Sequence, residues 1–158
     1  MNVAEHNSKP GYFALNSCTW KYTPMSKKPH ILIADDDQED RQLLSAAFDE
    51  IAFGDWIHFL YGGGQVFQYL DALAEALEFP RLIVLDLNMP KIDGMETLKR
   101  LKNHPRYRHI PVIIFTTSPL ALEKERCLAL GASDFIKKPD SFTELKLVAQ
   151  FLRTCVCM

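Results

Sequence analysis

The sequence predicts an α/β three-layer sandwich, a five-stranded parallel sheet covered by helices on both faces. Two observations carry that reading. From His30 onward, five short apolar runs alternate with five amphipathic stretches, and the run Leu82–Leu85 is continuously apolar, as a strand buried on both faces requires. The connections between them are short, which favours right-handed crossovers between parallel neighbours.

Ile31–Ala34 forms the first strand, and Leu43, Leu44, Ala47, Phe48 and Ile51 then recur at helical spacing. Residues 56–61 read as a second strand and Gly62, Gly63 and Gly64 as a turn, followed by a helical stripe of Val66, Leu70, Leu73 and Leu77. The third strand, Leu82–Leu85, precedes a helix carrying Met95, Leu98 and Leu101. Residues 110–115 then read as strand, 121–130 as helix and 135–136 as a short strand, and Leu145, Val148, Ala149 and Leu152 mark the last helix. Helix starts carry their own signals. Ser141 with Glu144 fits a capping box, Ser118 before Pro119 fits an N-cap with proline at the first helical position, and Asp93 to Glu96 is another start.

A chain of 158 residues, 47% hydrophobic and 24% charged, holds one folded domain and needs no disulfide or structural metal to build a core. Residues 1–29 contain three prolines and no sustained period, so they read as an N-terminal extension, with the domain spanning 30–158. Met25 opens a short polar lead into the first strand. The extension carries a net charge of +3 and the remainder −5, and an acidic domain lacks the counterion-release drive that nucleic-acid binding needs. No apolar run approaches the roughly 20 residues of a membrane span, and no signal peptide is recognisable. Cys18, Cys127, Cys155 and Cys157 form no regular framework and read as free thiols, as expected in the cytoplasm.

Polar residues collect just past the carboxyl ends of the strands, where such a sheet places a site. Asp35, Asp36 and Asp37 follow the first strand. Asp86 ends the third, with Asn88 two residues on. Thr116 and Thr117 end the fourth, and Lys138 with Pro139 ends the fifth. Taken singly, each has an ordinary structural reading: Asp37 is a helix cap, and Asp40, Asp49, Asp55 and Asp71 belong to the solvated surface. Their coincidence at four strand ends is what points to a site. Three or more carboxylates in one crevice repel unless a cation lies among them.

Four segments together resemble the signatures of response-regulator receiver domains: Ile31 to Asp36, Leu85 to Gly94, Phe115 with Thr116, and Gly131 to Pro139. The resemblance runs from about His30 to the last helix. It implies the flavodoxin-like strand order 2-1-3-4-5 that the chemotaxis member of the family shows. It further implies that Asp86 accepts a phosphoryl group from a phosphohistidine, with Lys138 and Thr116 contacting that group. Mg²⁺, or Mn²⁺, would be held by Asp36, Asp86 and the backbone carbonyl of Asn88, with Asp35 reaching it through water. The residues alone leave open which two of Asp35, Asp36 and Asp37 hold the metal; the family pattern of acids directly after the strand selects the first two.

The same resemblance makes Thr116 and Phe135 the switch pair, with phenylalanine where many relatives carry tyrosine. Asn88 and Ser118 occupy the positions that tune phosphoryl lifetime, and their small or neutral side chains leave room for attacking water. The implied partners are a sensor histidine kinase or a histidine phosphotransfer protein, and a downstream protein target on the surface of the fourth helix, fifth strand and fifth helix. A homodimer is compatible with the resemblance, which does not fix the oligomeric state. Only Thr154 to Met158 follow the last helix, so a stand-alone receiver is expected. Thr116, Thr117 and Ser118 resemble the sequence of receivers paired with phytochrome-type kinases, which does not assign light signalling. Two alternatives differ in class. An aspartyl-nucleophile, Mg²⁺-dependent phosphatase would place Asp-x-Asp after the first strand, and this chain places Asp86, Leu87 and Asn88 after the third. A constitutive binding module would not need every acceptor, metal, threonine and lysine position filled.

Overall fold

Runs of Ile, Leu and Val that are too short for a stable helix pair edge to edge and leave their charged neighbours at the strand ends. In the computed structural model, which describes residues 29–73, 79–118 and 120–157, these runs are β1 (Ile31–Ala34), β2 (Ile57–Leu60), β3 (Leu82–Leu85), β4 (Val112–Thr116) and β5 (Asp134–Lys137). All neighbours are parallel, in the order β2-β1-β3-β4-β5. The helices are α1 (Gln38–Glu50), α2 (Gly63–Asp71), α3 (Gly94–Asn103), α4 (Ala121–Ala129) and α5 (Phe142–Val156). The predicted sandwich and strand order are therefore present.

Side chains alternate across the sheet, so each strand feeds two apolar layers. Leu32, Ala34, Ile83, Leu85, Val112 and Ile114 face α2, α3 and α4 through Val66, Leu70, Leu98, Leu101 and Cys127. Ile31, Ile33, Leu82, Val84, Ile113 and Phe115 face α1 and α5 through Leu44, Ala47, Phe48, Leu145, Ala149 and Leu152. Burial on both faces explains why β1 and β3 lack polar alternation.

Several boundaries differ from the sequence reading: β5 is Asp134–Lys137 rather than 135–136, β2 ends at Leu60 and β4 at Thr116, and the last helix runs on to Val156 instead of stopping before Thr154. The second strand begins at Ile57, because Gly54–Trp56 closes a 3-10 turn in which the Trp56 N–H donates to the Phe53 carbonyl. The fourth begins at Val112, because the Ile110 N–H turns back to Tyr107. Gly63 and Gly64 belong to the first turn of α2 rather than to a turn before it. The α2 stripe as read ran to Leu77, which lies outside the described residues, as do the N-terminal extension through residue 28 and Pro119. Ser118 is not the cap of α4: the helix starts at Ala121 with Leu120 at the cap position, and the Ser118 hydroxyl donates to the Glu123 carboxylate instead. Asp37, Asp93 and Ser141 do cap, accepting backbone N–H groups of Glu39 and Asp40, of Glu96, and of Glu144.

Two contacts tie the loops to the core. The hydroxyl of Tyr107, 1% exposed, donates to the Asp71 carboxylate and joins the α3–β4 connection to the end of α2. At the start of α3, a methyl group on Gly94 would lie 2.0 Å from the Asp86 carbonyl oxygen and 2.8 Å from the Leu87 Cα. Only a residue without Cβ lets α3 pack this closely on the end of β3.

Three outcomes follow from this packing. Gly94→Ala must push the backbone at Asp86 aside and is expected to lower stability in urea unfolding by about 1–3 kcal/mol. Tyr107→Phe loses one hydrogen bond whose acceptor stays solvated, costing about 1 kcal/mol by the same measurement. His30, tilted against Trp56 with ring centroids 4.4 Å apart, is held below its ordinary pKa by burial and by the Arg81 charge, and His58 is lowered by burial. Their neutral forms are favoured in the fold, so the unfolded chain takes up the extra protons as pH falls through about 6.5, and stability declines there. Replacing both by Gln should flatten the urea midpoint over that range.

Candidate functional site

The ladder of β-sheet hydrogen bonds runs one residue beyond the strands and so fixes the backbone of the polar residues. The Asp35 N–H donates to the Leu60 carbonyl at 3.0 Å, and the Asp86 N–H donates to Ala34 at 2.9 Å. Lys138 is fixed the same way, its N–H reaching the Thr116 carbonyl at 2.8 Å. Residues from β1, β3, β4 and β5 thereby share one rim.

At that rim the Lys138 Nζ donates to Asp35 Oδ2 at 2.7 Å, Asp40 Oδ2 at 2.7 Å and Asp86 Oδ2 at 3.0 Å. The lysine, Asp35 and Asp86 side chains are nearly closed off from water at 7%, 4% and 7% exposure, whereas Asp40 is 36% exposed. The second carboxylate oxygens of Asp35 and Asp86 accept from the backbone N–H groups of Asp37 at 2.9 Å and Asn88 at 3.3 Å. Each buried carboxylate is thus held at both ends. Burial pushes the Asp35 carboxyl up, against the opposing pull of Lys138. Burial on its own would lower the Lys138 ammonium, but its bonds to Asp35 and Asp40 and the charges of Asp35 and Asp86 outweigh that and push it up. The lysine therefore remains charged.

Asp35, Asp36 and Asp86 each offer a carboxylate oxygen, and these atoms all lie within 4.8 Å of one another, with Asp36 exposed on the solvent side. The donor set is all oxygen, and a single buried ammonium faces four carboxylates when Asp40 is included. Both features fit a hard divalent cation that keeps several waters, as Mg²⁺ or Mn²⁺ does. Asn88 is exposed beside this group.

The remaining residues singled out from the sequence lie on the β4–β5 side. Thr116 is fully buried at the end of β4, and its hydroxyl oxygen accepts the Ser118 N–H at 3.3 Å. Phe135 pairs with Ile114 across the β4–β5 ladder and is half-buried against the layer containing α2, α3 and α4. Asp37 caps α1 and does not contact the lysine.

Asp40 corrects the sequence reading, which placed it on the solvated surface. It is an ion-pair partner of the buried lysine. Its signal was present but indirect: with Asp37 at the cap, Asp40 is the third residue of α1, and helical side chains lean toward the N-terminus, here toward the strand ends. Arg41 was also missed. Its Nη1 donates to the Asp35 carbonyl at 2.7 Å, and its guanidinium lies 4.4 Å from the Tyr61 ring centroid, bracing the β1–α1 turn.

Comparison with known proteins places this chain in a family. The model of the response regulator receiver domain matches residues 31–150. A probable methanogenesis regulatory protein, FilR2 of Methanothrix harundinacea, is 33% identical over 125 residues, covering 78% of this chain and 80% of that one. Other relatives are longer. The match covers 34% of a protein-glutamate methylesterase/protein-glutamine glutaminase of Trichodesmium erythraeum. Among solved structures, the phosphorylated cyanobacterial phytochrome response regulator RcpA has a TM-score of 0.70 at 26% identity, covering 80% of this chain and 91% of that one. The Mn²⁺-bound form of response regulator Rcp1 gives 0.68 at 26% identity, covering 80% and 93%. Five parallel strands in the family's order, with the family match spanning them from β1 into α5, leave one conclusion: the chain belongs to the response regulator receiver domains.

Proposed function

We propose that this receiver accepts a phosphoryl group on Asp86 and signals through the protein surface that responds to it. The observation that carries the proposal is the buried Lys138 ammonium held at once against Asp86 and Asp35, on the rim where Asp36 adds a third acidic ligand. Asp86 supplies the nucleophile: a carboxylate oxygen attacks phosphorus, the bond from phosphorus to the donor breaks, and the electron pair leaves with the donor. With acetyl phosphate, acetate leaves and an acyl phosphate remains on Asp86. Such transfer depends on positioning and charge stabilisation more than on covalent help from the protein. Asp36, Asp86 and the Asn88 carbonyl would hold Mg²⁺ or Mn²⁺, with Asp35 reaching it through water, and the cation when bound would neutralise charge on the transferring oxygens.

Lys138 orients Asp86 before transfer and can bond a phosphoryl oxygen afterwards. The hydroxyl of Thr116, whose oxygen accepts the Ser118 N–H in the unmodified protein, donates to the added anion, which brings about −1.5 to −2 charges. Movement of Thr116 opens space beside β5 for Phe135, and the face of α4, β5 and α5 reports the change to a protein target. A sensor histidine kinase or a histidine phosphotransfer protein is the donor this chemistry fits. Asn88 and Ser118 set the lifetime through the access they leave to water.

Incubation with acetyl phosphate and Mg²⁺, followed by intact mass, should show the mass of one added phosphoryl group, absent in Asp86→Asn and absent when the metal is chelated. Persistence of the adduct in Asp86→Asn would refute the assignment. Lys138→Ala leaves the buried carboxylates without their ammonium and should cost about 3–5 kcal/mol in metal-free urea unfolding. Added Mg²⁺ should recover part of that loss.

A further inference from the structure

We infer that Asp40 is a positioning residue that occupies one N–H of Lys138 until a phosphoryl oxygen takes its place, and that its carboxylate thereby sets how readily Asp86 is phosphorylated. The inference rests on the assignment of Asp86 as the acceptor. An ammonium group has three N–H donors. In this structure all three have carboxylate acceptors within 3.0 Å: Asp35, Asp40 and Asp86. A phosphoryl oxygen can be bonded by Lys138 only if one of them is released.

Exposure decides which one yields. Asp35 is 4% exposed and would lose its charged partner inside the protein, where an unpaired carboxylate is costly, and Asp86, 7% exposed, keeps its bond to the lysine while it is still the carboxylate that attacks phosphorus. Asp40 is 36% exposed and regains water when it swings away. Its backbone stays in place, because the Asp40 N–H is anchored to the cap Asp37 at 3.2 Å. Release therefore costs a side-chain rotation and leaves the helix intact.

Charge works in the same direction. The incoming group is anionic, and a carboxylate that shares its lysine repels it. Asp40 thus holds the ammonium aimed at the rim in the unmodified protein and opposes the modified one. Neutralising Asp40 should raise phosphorylation rather than impair it.

The test uses the full chain with acetyl phosphate at sub-saturating concentration and Mg²⁺, following the phosphorylated fraction by intact mass over time. Asp40→Asn and Asp40→Ser are expected to raise the initial rate and the plateau several-fold, and Asp40→Glu, which restores the charge, to return both toward the native values. Damage to the fold would lower phosphorylation and would not be repaired by Glu alone, and urea midpoints of all variants monitor folding. Unchanged or reduced phosphorylation in the neutral variants with native-like midpoints overturns the inference, as does a Glu variant that behaves like Asn. The Asp86→Asn control separates the two ideas. If it still gains a phosphoryl group, the acceptor assignment falls and this inference with it. If it gains none while the neutral Asp40 variants show no increase, only the role of Asp40 falls.

Discussion

One buried ammonium holds the working end of this molecule together. Without Lys138, the sheet would bring Asp35 and Asp86 into a nearly dry crevice with no counter-charge, and like-charge repulsion would oppose the very strand order that brings them there. With it, β5 is bound to β1 and β3 by charge as well as to β4 by the ladder. The lysine backbone hangs from Thr116 while its side chain crosses the rim to residues 52 and 103 positions away in sequence. The contacts of this lysine with Asp35 and Asp40, 103 and 98 positions away, are among the longest-range polar contacts of the described residues, and both belong to the candidate site.

That arrangement couples chemistry to shape. Under the proposed phosphorylation of Asp86, the added anion would meet the lysine first, and through it the threonine whose carbonyl anchors the lysine backbone. Thr116 and Lys138 end adjacent strands, and the Lys138 N–H is bonded to the Thr116 carbonyl, so the two positions are mechanically linked. The Ser118 hydroxyl already leans on Glu123 of α4, linking that loop to the helix. A charge added at one point therefore acts on a connected set of hydrogen bonds.

Much of this was legible in the sequence because two periodicities do not overlap. The continuous apolar run of β3 reads as a strand buried on both faces, and once β1 and β3 are parallel neighbours the acids directly after them stand at the same rim. Asp86 was found because it breaks a continuous apolar run at a strand end, and Lys138 because it stands before Pro139 at the end of the fifth strand, where the family resemblance singles it out. Asp40 was not, because it sits among acidic residues in the first turn of a helix, where carboxylates are ordinary and favoured by the helix dipole. Its role depends on the direction a side chain leans from α1, which becomes visible only once the cap at Asp37 fixes the start of the helix. Ser118 misled for the opposite reason. A serine before proline is a good local cap signal, and a tertiary partner, Glu123, took its hydroxyl instead.

The ladder bonds that fix Asp35, Asp86 and Lys138 turn the chemistry into a matter of counting. Each of these residues is indexed to a strand end, so loops at the opposite rim can lengthen or shorten without disturbing it. Deleting a single residue inside Leu82–Leu85 would either invert the faces of β3 or draw Asp86 into the apolar layers. Descendants of this chain are therefore free to vary where strands begin, and are bound to keep where they stop.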